Sequence, residues 1–366
     1  MAWFIYLELD KTIPAALQAF TAPRGGSKET LEVPGASHML MLATGSCIST
    51  GGAPSPARFC TLPTRQIAEY LTRVSSIANF QSETDMTETL KFKTGTIHLI
   101  RHSDSYWRVT FDNPPLNMFG PANIPQLEEV VSCLETDERV KVVVFDSAVE
   151  GFFITHWDFL TGFEDSNTFP AGRTGLQPLP DMLARISRLP VVSISLIRGR
   201  ATGVGSELAL ASDMRFASRE KAVLSQWEVG AGLVPGGGPM ARLPRLIGRG
   251  RALEVLLGAD DIGGDLAELW GYVNRSLPDE ELDDFVDNLA RRIASFDKQA
   301  LAATKHLVDV ASLPPDSEIV PEWRALLDAL GRPAAQKRLQ QLMDRGFHRP
   351  GDVENRLGYY VGQLGG

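Results

Sequence analysis

Short apolar segments alternate with amphipathic helices after Gly95, and this alternation restricts the fold more than any other feature of the sequence. Period-2 and all-apolar patterns predict strands, and apolar residues at spacings of three and four predict helices. The predicted strands are 96–101, 107–112, 140–146, 190–197, 214–217 and 222–225, and the helices between them are 124–136, 179–188 and one from Ser206. Further helices are predicted at 251–257, 264–270, 280–295, 300–311 and 318–329. The pattern indicates an α/β core followed by a helical subdomain.

Residues 1–90 differ in composition from the rest, because they are rich in Ser, Thr, Pro and Gly. One helix is predicted there, at 63–78, and the segment is otherwise expected to be a poorly ordered extension. Its stretch 33–39 vaguely resembles a cloning remnant, so an artificial leader is an alternative. The predicted division is therefore an extension at 1–90, an α/β core at 91–248 and a helical subdomain at 249–366.

Charge and hydropathy exclude several classes of protein. The chain has 366 residues and a net charge of −9, so no net positive field attracts nucleic-acid phosphates. No run reaches the roughly 18 apolar residues of a membrane span. The apolar start is short and follows no basic residue, so it does not predict a signal peptide. A cytoplasmic protein without membrane or nucleic-acid partners is expected.

The cysteines do not indicate a disulfide framework or a metal site. There are three, an odd number, and none forms a CxxC pair or has histidine at ligand spacing. Small buried or surface thiols are therefore expected, and no metal is predicted. The three are Cys47, Cys60 and Cys133.

A glycine-flanked turn joins a buried strand to the helix predicted from Ser206. Gly203 and Gly205 stand on either side of Val204, and glycine lets the backbone approach a ligand closely. The first amides of a helix lack intrahelical partners, and the helix dipole adds partial positive charge. Such a turn can stabilise an anion that forms on a carbonyl oxygen. Close packing of strand on helix is the alternative interpretation.

Two glutamates, Glu207 and Glu228, are candidates for acid–base chemistry. Glu207 lies in the first helical turn within an apolar run, so the helix end favours its ionised form while burial would raise its pKa. Two such carboxyls on neighbouring elements can divide the acid and base roles. A helix cap for Glu207 and a surface charge for Glu228 are the simpler alternatives.

In their order along the chain, these segments resemble the crotonase superfamily, the enoyl-CoA hydratase/isomerase fold, over roughly 95–310. The resemblance rests on five segments, which are specific as an ordered set. They are 113–118 (Asn-Pro-Pro-Leu-Asn-Met), the Phe-rich turn 151–159 that contains Asp158, the Gly-x-Gly-x-Glu loop 203–207, 226–228 (Gln-Trp-Glu) and the Gly-rich run 233–238. It implies a ββα superhelix core with a C-terminal helical subdomain that forms trimers.

The resemblance also implies a mechanism. The carbonyl of an acyl-CoA thioester is expected between the backbone amides of Trp157 and Val204, with Glu207 and Glu228 exchanging protons during syn addition of water to a 2-enoyl-CoA. Loss of one such oxyanion donor typically costs about 10²–10³ in rate. No cofactor is implied beyond the coenzyme A that the substrate carries, and a homotrimer or a dimer of trimers is expected. The implied substrate-binding residues are Asn117, Met118, His156, Asp158, Gly203, Gly205 and Trp227.

Departures from the family pattern leave other functions open. The usual Ala-Gly-Ala-Asp turn is Thr155-His156-Trp157-Asp158 here, and the bulky side chains could narrow the substrate channel. His156 is either an added acid–base group or a packed side chain. Isomerisation or crotonase-type hydrolysis that relies mainly on Glu228, and a non-catalytic acyl-CoA-binding subunit, are the alternatives to hydration.

Basic residues after position 240 have two interpretations. Four arginines are expected on a solvated face or a subunit contact, or else near the phosphates of CoA. Lys305 resembles a position that contacts CoA from a neighbouring subunit. The arginines are Arg242, Arg245, Arg249 and Arg251.

Overall fold

The computed structural model describes residues 95–161 and 169–365, together with four strands before them. The chain divides into two compact units, Met1–Thr84 and Asp85–Gly366. In the first unit, a central strand pairs in parallel with one neighbour and antiparallel with the other. The three strands are β1 (Ala2–Leu7), β2 (Glu29–Val33) and β3 (Leu40–Ala43). The helix predicted at 63–78 lies outside the described residues, and the poorly ordered extension stays a prediction.

The second unit contains a seven-stranded sheet in the order β14-β11-β9-β7-β6-β5-β4. Its strands are β4 (Glu88–Lys91), β5 (Ile97–Arg101), β6 (Tyr106–Phe111), β7 (Val142–Ser147), β9 (Val192–Ile197), β11 (Met214–Ser218) and β14 (Arg275–Leu277). β4, β5 and β6 pair antiparallel, and the pairs from β6 to β14 are parallel. β4 crosses the boundary predicted at position 90.

The apolar run in β7 is explained by burial on both faces of the sheet. Val143 and Phe145 join the larger hydrophobic core, whereas Val142 and Val144 join a second cluster. Continuous apolar sequence is typical of parallel strands covered on both sides. This strand was predicted at 140–146 from the same run.

A smaller, four-stranded sheet in the order β13-β12-β10-β8 positions the candidate site. Its strands are β8 (Gly151–Ile154), β10 (Gly199–Thr202), β12 (Val223–Ser225) and β13 (Ile262–Gly263). β8 and β12 both pair in parallel with β10. Because the carboxyl ends of parallel strands meet at one edge of a sheet, the three segments that follow these strands converge there.

Helices cover the sheets and form the C-terminal region. In the core they are α1 (Asn123–Thr136), α2 (Pro178–Ser187), α3 (Val204–Ala211), a 3-10 helix (Glu228–Ala231) and α4 (Pro239–Ile247). After them come α5 (Arg249–Gly258), α6 (Gly264–Trp270), α7 (Asp279–Ala294), α8 (Lys298–Ser312), α9 (Asp316–Leu330), α10 (Pro333–Arg345), α11 (Asp352–Asn355) and α12 (Leu357–Gly362). The predicted α/β core with a helical C-terminal region is confirmed.

Gly205 lets α3 lie against β8, and its replacement by alanine is expected to destabilise the fold. A Cβ atom there would lie 1.9 Å from the carbonyl oxygen of Ile154, which is fixed backbone. We expect Gly205→Ala to lower the free energy of unfolding by about 3 kcal/mol, measured by urea denaturation. Gly250→Ala on α5, where no atom lies within 4 Å, is the control and should be neutral or slightly stabilising. Equal stability of both variants would contradict this packing.

Candidate active site

The three converging segments enclose a cavity of about 30 Å³, which has room for one or two water-sized groups. Both predicted carboxyl groups and both residues with predicted amide donors line it. The lining consists of Trp157, Phe159, Leu179, Val204, Glu207, Trp227, Glu228, Gly236, Gly237, Trp323 and Leu326. Residues predicted from separate motifs are therefore neighbours in space.

Glu207 projects from the first turn of α3 into this cavity and is 4% exposed. Its Oε1 accepts a hydrogen bond of 2.7 Å from the backbone amide of Gly237. Burial raises the pKa of Glu207 to about 7, even though the Gly237 amide and the charge of Arg242 favour the ionised form. A carboxyl with a pKa near neutrality can both accept and release a proton at physiological pH.

Arg242 fixes the peptide that contacts Glu207. Its Nη1 donates a 2.9 Å hydrogen bond to the carbonyl oxygen of Gly237, and the side chain is buried. Burial lowers the pKa of Arg242 to about 10, so it remains charged at neutral pH. The expectation that Arg242 lies on a solvated face is wrong, because α4 turns it inward against Gly238, where a side chain would collide with it.

Glu228 begins the 3-10 helix after β12 and is 7% exposed. Burial raises its pKa well above the ordinary value, and the charge of Glu207 raises it further. Its Oε2 has no hydrogen-bond partner among the described residues. The charge of Arg242 favours the ionised form of Glu207, whereas the charge that acts on Glu228 is that of Glu207 and opposes ionisation, so Glu228 holds its proton more firmly. Such a difference between paired carboxyls is typical of an acid and a base.

Gly203 makes room for Glu228. Its φ of +53° is a conformation that L side chains rarely adopt, and a Cβ atom there would lie 2.9 Å from Glu228 Oε1. The glycine therefore serves both the turn into α3 and the close approach of the carboxyl group.

The two residues whose amides the resemblance implies as oxyanion donors, Trp157 and Val204, both line the cavity. The amide of Phe119 donates to the carbonyl of His156, and the amide of Asp158 donates to the carbonyl of Phe119. Because strand residues alternate in direction, this bridge turns the Trp157 amide to the side opposite Phe119. Val204 is the first residue of α3, where amides lack a carbonyl partner within the helix.

Most of the remaining predicted substrate-binding residues are not part of the cavity's described lining. Asn117 is buried, and its side chain holds strand ends together through Ser147 Oγ, the amide of Asn113 and the carbonyl of Phe153. The carbonyl of Met118 accepts a bond from the Asn113 side chain. Neither residue is part of the cavity's described lining, and their contact with substrate stays a prediction.

His156 and Asp158 are also not part of the described cavity lining, whereas Trp227 is part of it. The His156 ring packs edge-on against Trp227, with 5.8 Å between the ring centroids. Asp158 Oδ1 accepts a 2.9 Å bond from the amide of Leu160. The turn 155–158 is therefore braced by side chains where the family commonly has small residues.

Several cavity residues were missed from the sequence. Trp323 and Leu326 come from α9, about 95 positions beyond Glu228, and close the cavity from the C-terminal region. Helical spacing was the only sequence signal in this stretch, and it predicted burial rather than a site. Lys305, which was compared with a CoA-contacting position, forms a 2.8 Å ion pair with Asp213.

Glu322 on α9 is expected to make stability depend on pH. It is buried, accepts bonds from the amides of Met240 and Ala241 at the start of α4, and has a pKa that burial raises from 4.5 to about 8. The folded protein thus holds this proton more firmly than the unfolded chain, so stability is greatest below about pH 4.5 and falls as pH rises towards 8. Relative to Glu322→Gln, the wild type should lose about 3 kcal/mol between pH 5 and 8. Urea denaturation at several pH values tests this, and parallel curves would contradict it.

Metal and membrane signals are absent from the part of the chain that the structure describes. No three His, Cys, Asp or Glu side chains there are arranged to hold a metal ion. Among the same residues, no helix is both long and apolar enough to cross a membrane. Cys133 is a free thiol, and the other two cysteines lie outside the described residues.

Comparison with known proteins decides the family. The family model for enoyl-CoA hydratase/isomerase matches residues 101–331. The chain belongs to the enoyl-CoA hydratase/isomerase family. The crotonase resemblance drawn from the ordered motifs is thereby confirmed. Within the family, a crystal structure of a Streptomyces avermitilis protein, provisionally described as an enoyl-CoA hydratase, is similar with a TM-score of 0.72 and 40% identity. The match covers the whole of the Streptomyces avermitilis chain and 76% of this chain.

Two relatives illustrate the range of this family. The carnitinyl-CoA dehydratase of Escherichia coli is 29% identical over 61% of this chain and 84% of its own length. Enoyl-CoA hydratase domain-containing protein 2, mitochondrial, of Mus musculus is 35% identical over 45% of this chain. The aligned segment spans only 55% of the mouse protein's length.

Proposed function

We propose that this family member adds water to a 2-enoyl-CoA, or removes it from a 3-hydroxyacyl-CoA in the reverse direction. The observation that carries the proposal is the convergence of Glu207 and Glu228 with the residues that bear two backbone donors, Trp157 and Val204, around one small cavity. The dehydratase name of the Escherichia coli relative is in keeping with this chemistry.

In the proposed step, Glu207 accepts a proton from water as the water oxygen bonds to C3 of the enoyl group. The electron pair of the double bond moves to the thioester oxygen, where the amides of Trp157 and Val204 stabilise the negative charge. Glu228 then delivers its proton to C2. Water and proton arrive from the same cavity, which gives syn addition, and no cofactor is needed beyond the CoA of the substrate.

The difference between the two carboxyl groups supports this division of roles. Glu207 has a pKa of about 7 and accepts a hydrogen bond from Gly237, so a large fraction is ionised at neutral pH. The pKa of Glu228 is raised well above its ordinary range by burial, which keeps it protonated and able to act as the acid.

A pH profile is expected to report the base. Below about pH 7, Glu207 is protonated and cannot accept the proton of water, so kcat/KM for hydration should fall about tenfold per pH unit. Measurement of kcat/KM from pH 5 to 9 tests this. A rate that stays level down to pH 5 would contradict the assignment of Glu207 as the base.

We further propose that the protein assembles as a homotrimer through its C-terminal helices. α8 has no buried residue among those described, although Leu307 and Val310 on it are exposed and apolar. An amphipathic helix in this state is typical of one that packs against another subunit.

An acyl-CoA panel with product detection by mass tests the reaction. Addition of 18 Da to an enoyl-CoA would support hydration. An unchanged mass with a shifted double bond would favour isomerisation, and release of free CoA would favour hydrolysis. Binding without turnover across the panel would favour a non-catalytic acyl-CoA-binding subunit. The Glu228→Gln variant, purified in parallel, controls for contaminating hydratase.

A further inference from the structure

His156 directly precedes Trp157, and both of its ring nitrogens face acceptor oxygens. Nδ1 lies 2.9 Å from the carbonyl oxygen of Trp157. Nε2 lies 3.1 and 3.0 Å from the two carboxyl oxygens of Glu354 on α11. The side chains of His156 and Glu354 are each only 1% exposed, so bulk water does not compete for these bonds.

Counting protons on these atoms defines the charge of the ring. A carbonyl oxygen only accepts, so Nδ1 must carry a hydrogen. Glu354 also accepts a 2.6 Å bond from the amide of His348. Burial acts to raise the pKa of Glu354, but His156 and this amide hold it below its ordinary value, so the group is ionised and likewise only accepts. Nε2 must therefore carry a hydrogen as well, which makes His156 an imidazolium.

The neighbouring groups favour this charge. The ring of His348 stacks on His156 at 4.9 Å between centroids, and burial together with the charge of His156 lowers the pKa of His348 to about 4, so it is neutral. Asp158 Oδ1 lies 3.3 Å from His348 Nδ1. Glu228 Oε1 and the Cβ atom of His156 lie 2.9 and 3.5 Å from the point that a Cβ atom on Gly203 would occupy, and Glu228 is protonated in the proposed mechanism. The carboxyl groups in contact with this pair of rings are therefore those of Glu354, beside His156, and Asp158, beside His348.

We propose that His156, paired with Glu354, is a positioning residue that holds the turn carrying the Trp157 amide. This inference rests on the proposed function, in which negative charge develops on the thioester oxygen next to the Trp157 amide. The His156 carbonyl and the Asp158 amide are fixed by Phe119, and the His156 ring fixes the carbonyl of Trp157. A donor amide held in place in a site closed to water stabilises such an oxyanion more than it would in water.

The pair of His156 and Glu354 joins two distant parts of the chain. The partner, Glu354, is 198 positions away in the C-terminal region. A buried histidine placed only to fill space would not require a buried carboxylate opposite its second nitrogen.

The first test is the protonation of His156 in the full-length protein without substrate. Nitrogen-15 NMR of the labelled histidines at neutral pH should show both His156 ring nitrogens protonated. Glu354→Gln keeps the size and an acceptor for the His348 amide, but its amide hydrogens donate to Nε2. In that variant the ring should carry a single hydrogen, on Nδ1. A neutral ring in the wild type would overturn the inference.

The second test separates positioning from packing. Glu354→Gln should lower kcat for hydration about tenfold with little change in KM, a smaller loss than removal of a donor amide. Asp261→Asn is the matched control, because Arg200 bonds to both Asp261 and the carbonyl of Asn355 and so anchors the same segment without touching His156. The kcat of Glu354→Gln should be lower than that of Asp261→Asn. Equal kcat values for the two variants would overturn the positioning role of His156.

A third readout does not depend on turnover. The carbon-13 shift of the thioester carbonyl of bound butyryl-CoA reports its polarisation, which should be smaller in Glu354→Gln than in the wild type or Asp261→Asn. If the wild type polarises this carbonyl through a charged His156 but hydrates no enoyl-CoA, the proposed reaction fails while the role of His156 stands. Equal shifts in all three proteins would overturn that role.

Discussion

Replacement of Glu228 by glutamine is expected to lower kcat for hydration about 10³-fold, with a small change in KM. General acid–base groups typically contribute about 10²–10⁴ to the rate, and Glu228 is the proposed proton donor to C2. Glutamine keeps the shape of the side chain but has no proton of suitable acidity to deliver. The loss should therefore appear in the chemical step rather than in binding.

A control variant and a variant of Glu207 test whether the loss of kcat is specific to the two proposed catalytic carboxyl groups. Glu268→Gln on α6 changes a carboxyl that accepts bonds from Ser276 and lies outside the described cavity lining, so its kcat should match the wild type. Glu207→Gln should cost about as much as Glu228→Gln if both carboxyls act in one step, and the double variant should lose little more. An isomerase that relies on Glu228 alone would tolerate Glu207→Gln. Wild-type hydration by Glu228→Gln would refute the two-carboxyl mechanism.

Elements were predicted correctly from the sequence where their apolar residues follow a clear helical or strand pattern. The apolar positions of α7 recur at helical spacing, and the valines of β7 form a continuous run, so both elements were predicted close to their observed bounds. The two short strands β8 and β10 were missed. β10 contains Gly199, Arg200 and Thr202, and its sequence shows no alternation of apolar and polar residues. It forms a strand because it pairs with β8 and β12, not because its residues prefer strands.

Helix α4 shows how local signals can mislead. No helix was predicted at 239–247, directly after the Gly-rich run, although proline is favourable at the first helical position. The same helix carries Arg242, whose basic neighbours suggested a solvated surface. Its burial depends on the carbonyl of Gly237 and on the field of Glu207 and Glu322, which are separated from it in sequence.

The candidate site was predictable only where motifs are local. Glu207, Glu228 and the two amide residues follow strands in short, ordered segments, so their convergence could be expected from parallel topology. Glu354 and Trp323 reach the same region from helices far along the chain. Nothing in the residues around them marks a site, because their role comes from tertiary contacts across 198 positions in the case of Glu354.

Replacement of Gly237 by alanine is expected to lower kcat at least 10²-fold without a comparable loss of stability. A Cβ atom at this position would lie 2.2 Å from Glu207 Oε2 and 2.4 Å from its Cδ. The carboxyl group is the movable partner, so it must shift and lose its 2.7 Å bond from the Gly237 amide. A misplacement of about 1 Å in a catalytic group can cost about 10² in rate.

The position of Glu207, rather than its presence, is what this variant changes. Gly250→Ala, where an added methyl meets no atom within 4 Å, should keep the wild-type kcat. Glu207→Asp shortens the side chain and relieves the collision, so the double variant with Gly237→Ala should lose less activity than the sum of the two single losses in free energy. Steady-state kinetics of the four proteins in this cycle measures the coupling. Additive losses would show that Gly237 acts on the reaction by some route other than Glu207, whereas a positive coupling places the glycine, its amide and the carboxyl in one functional unit.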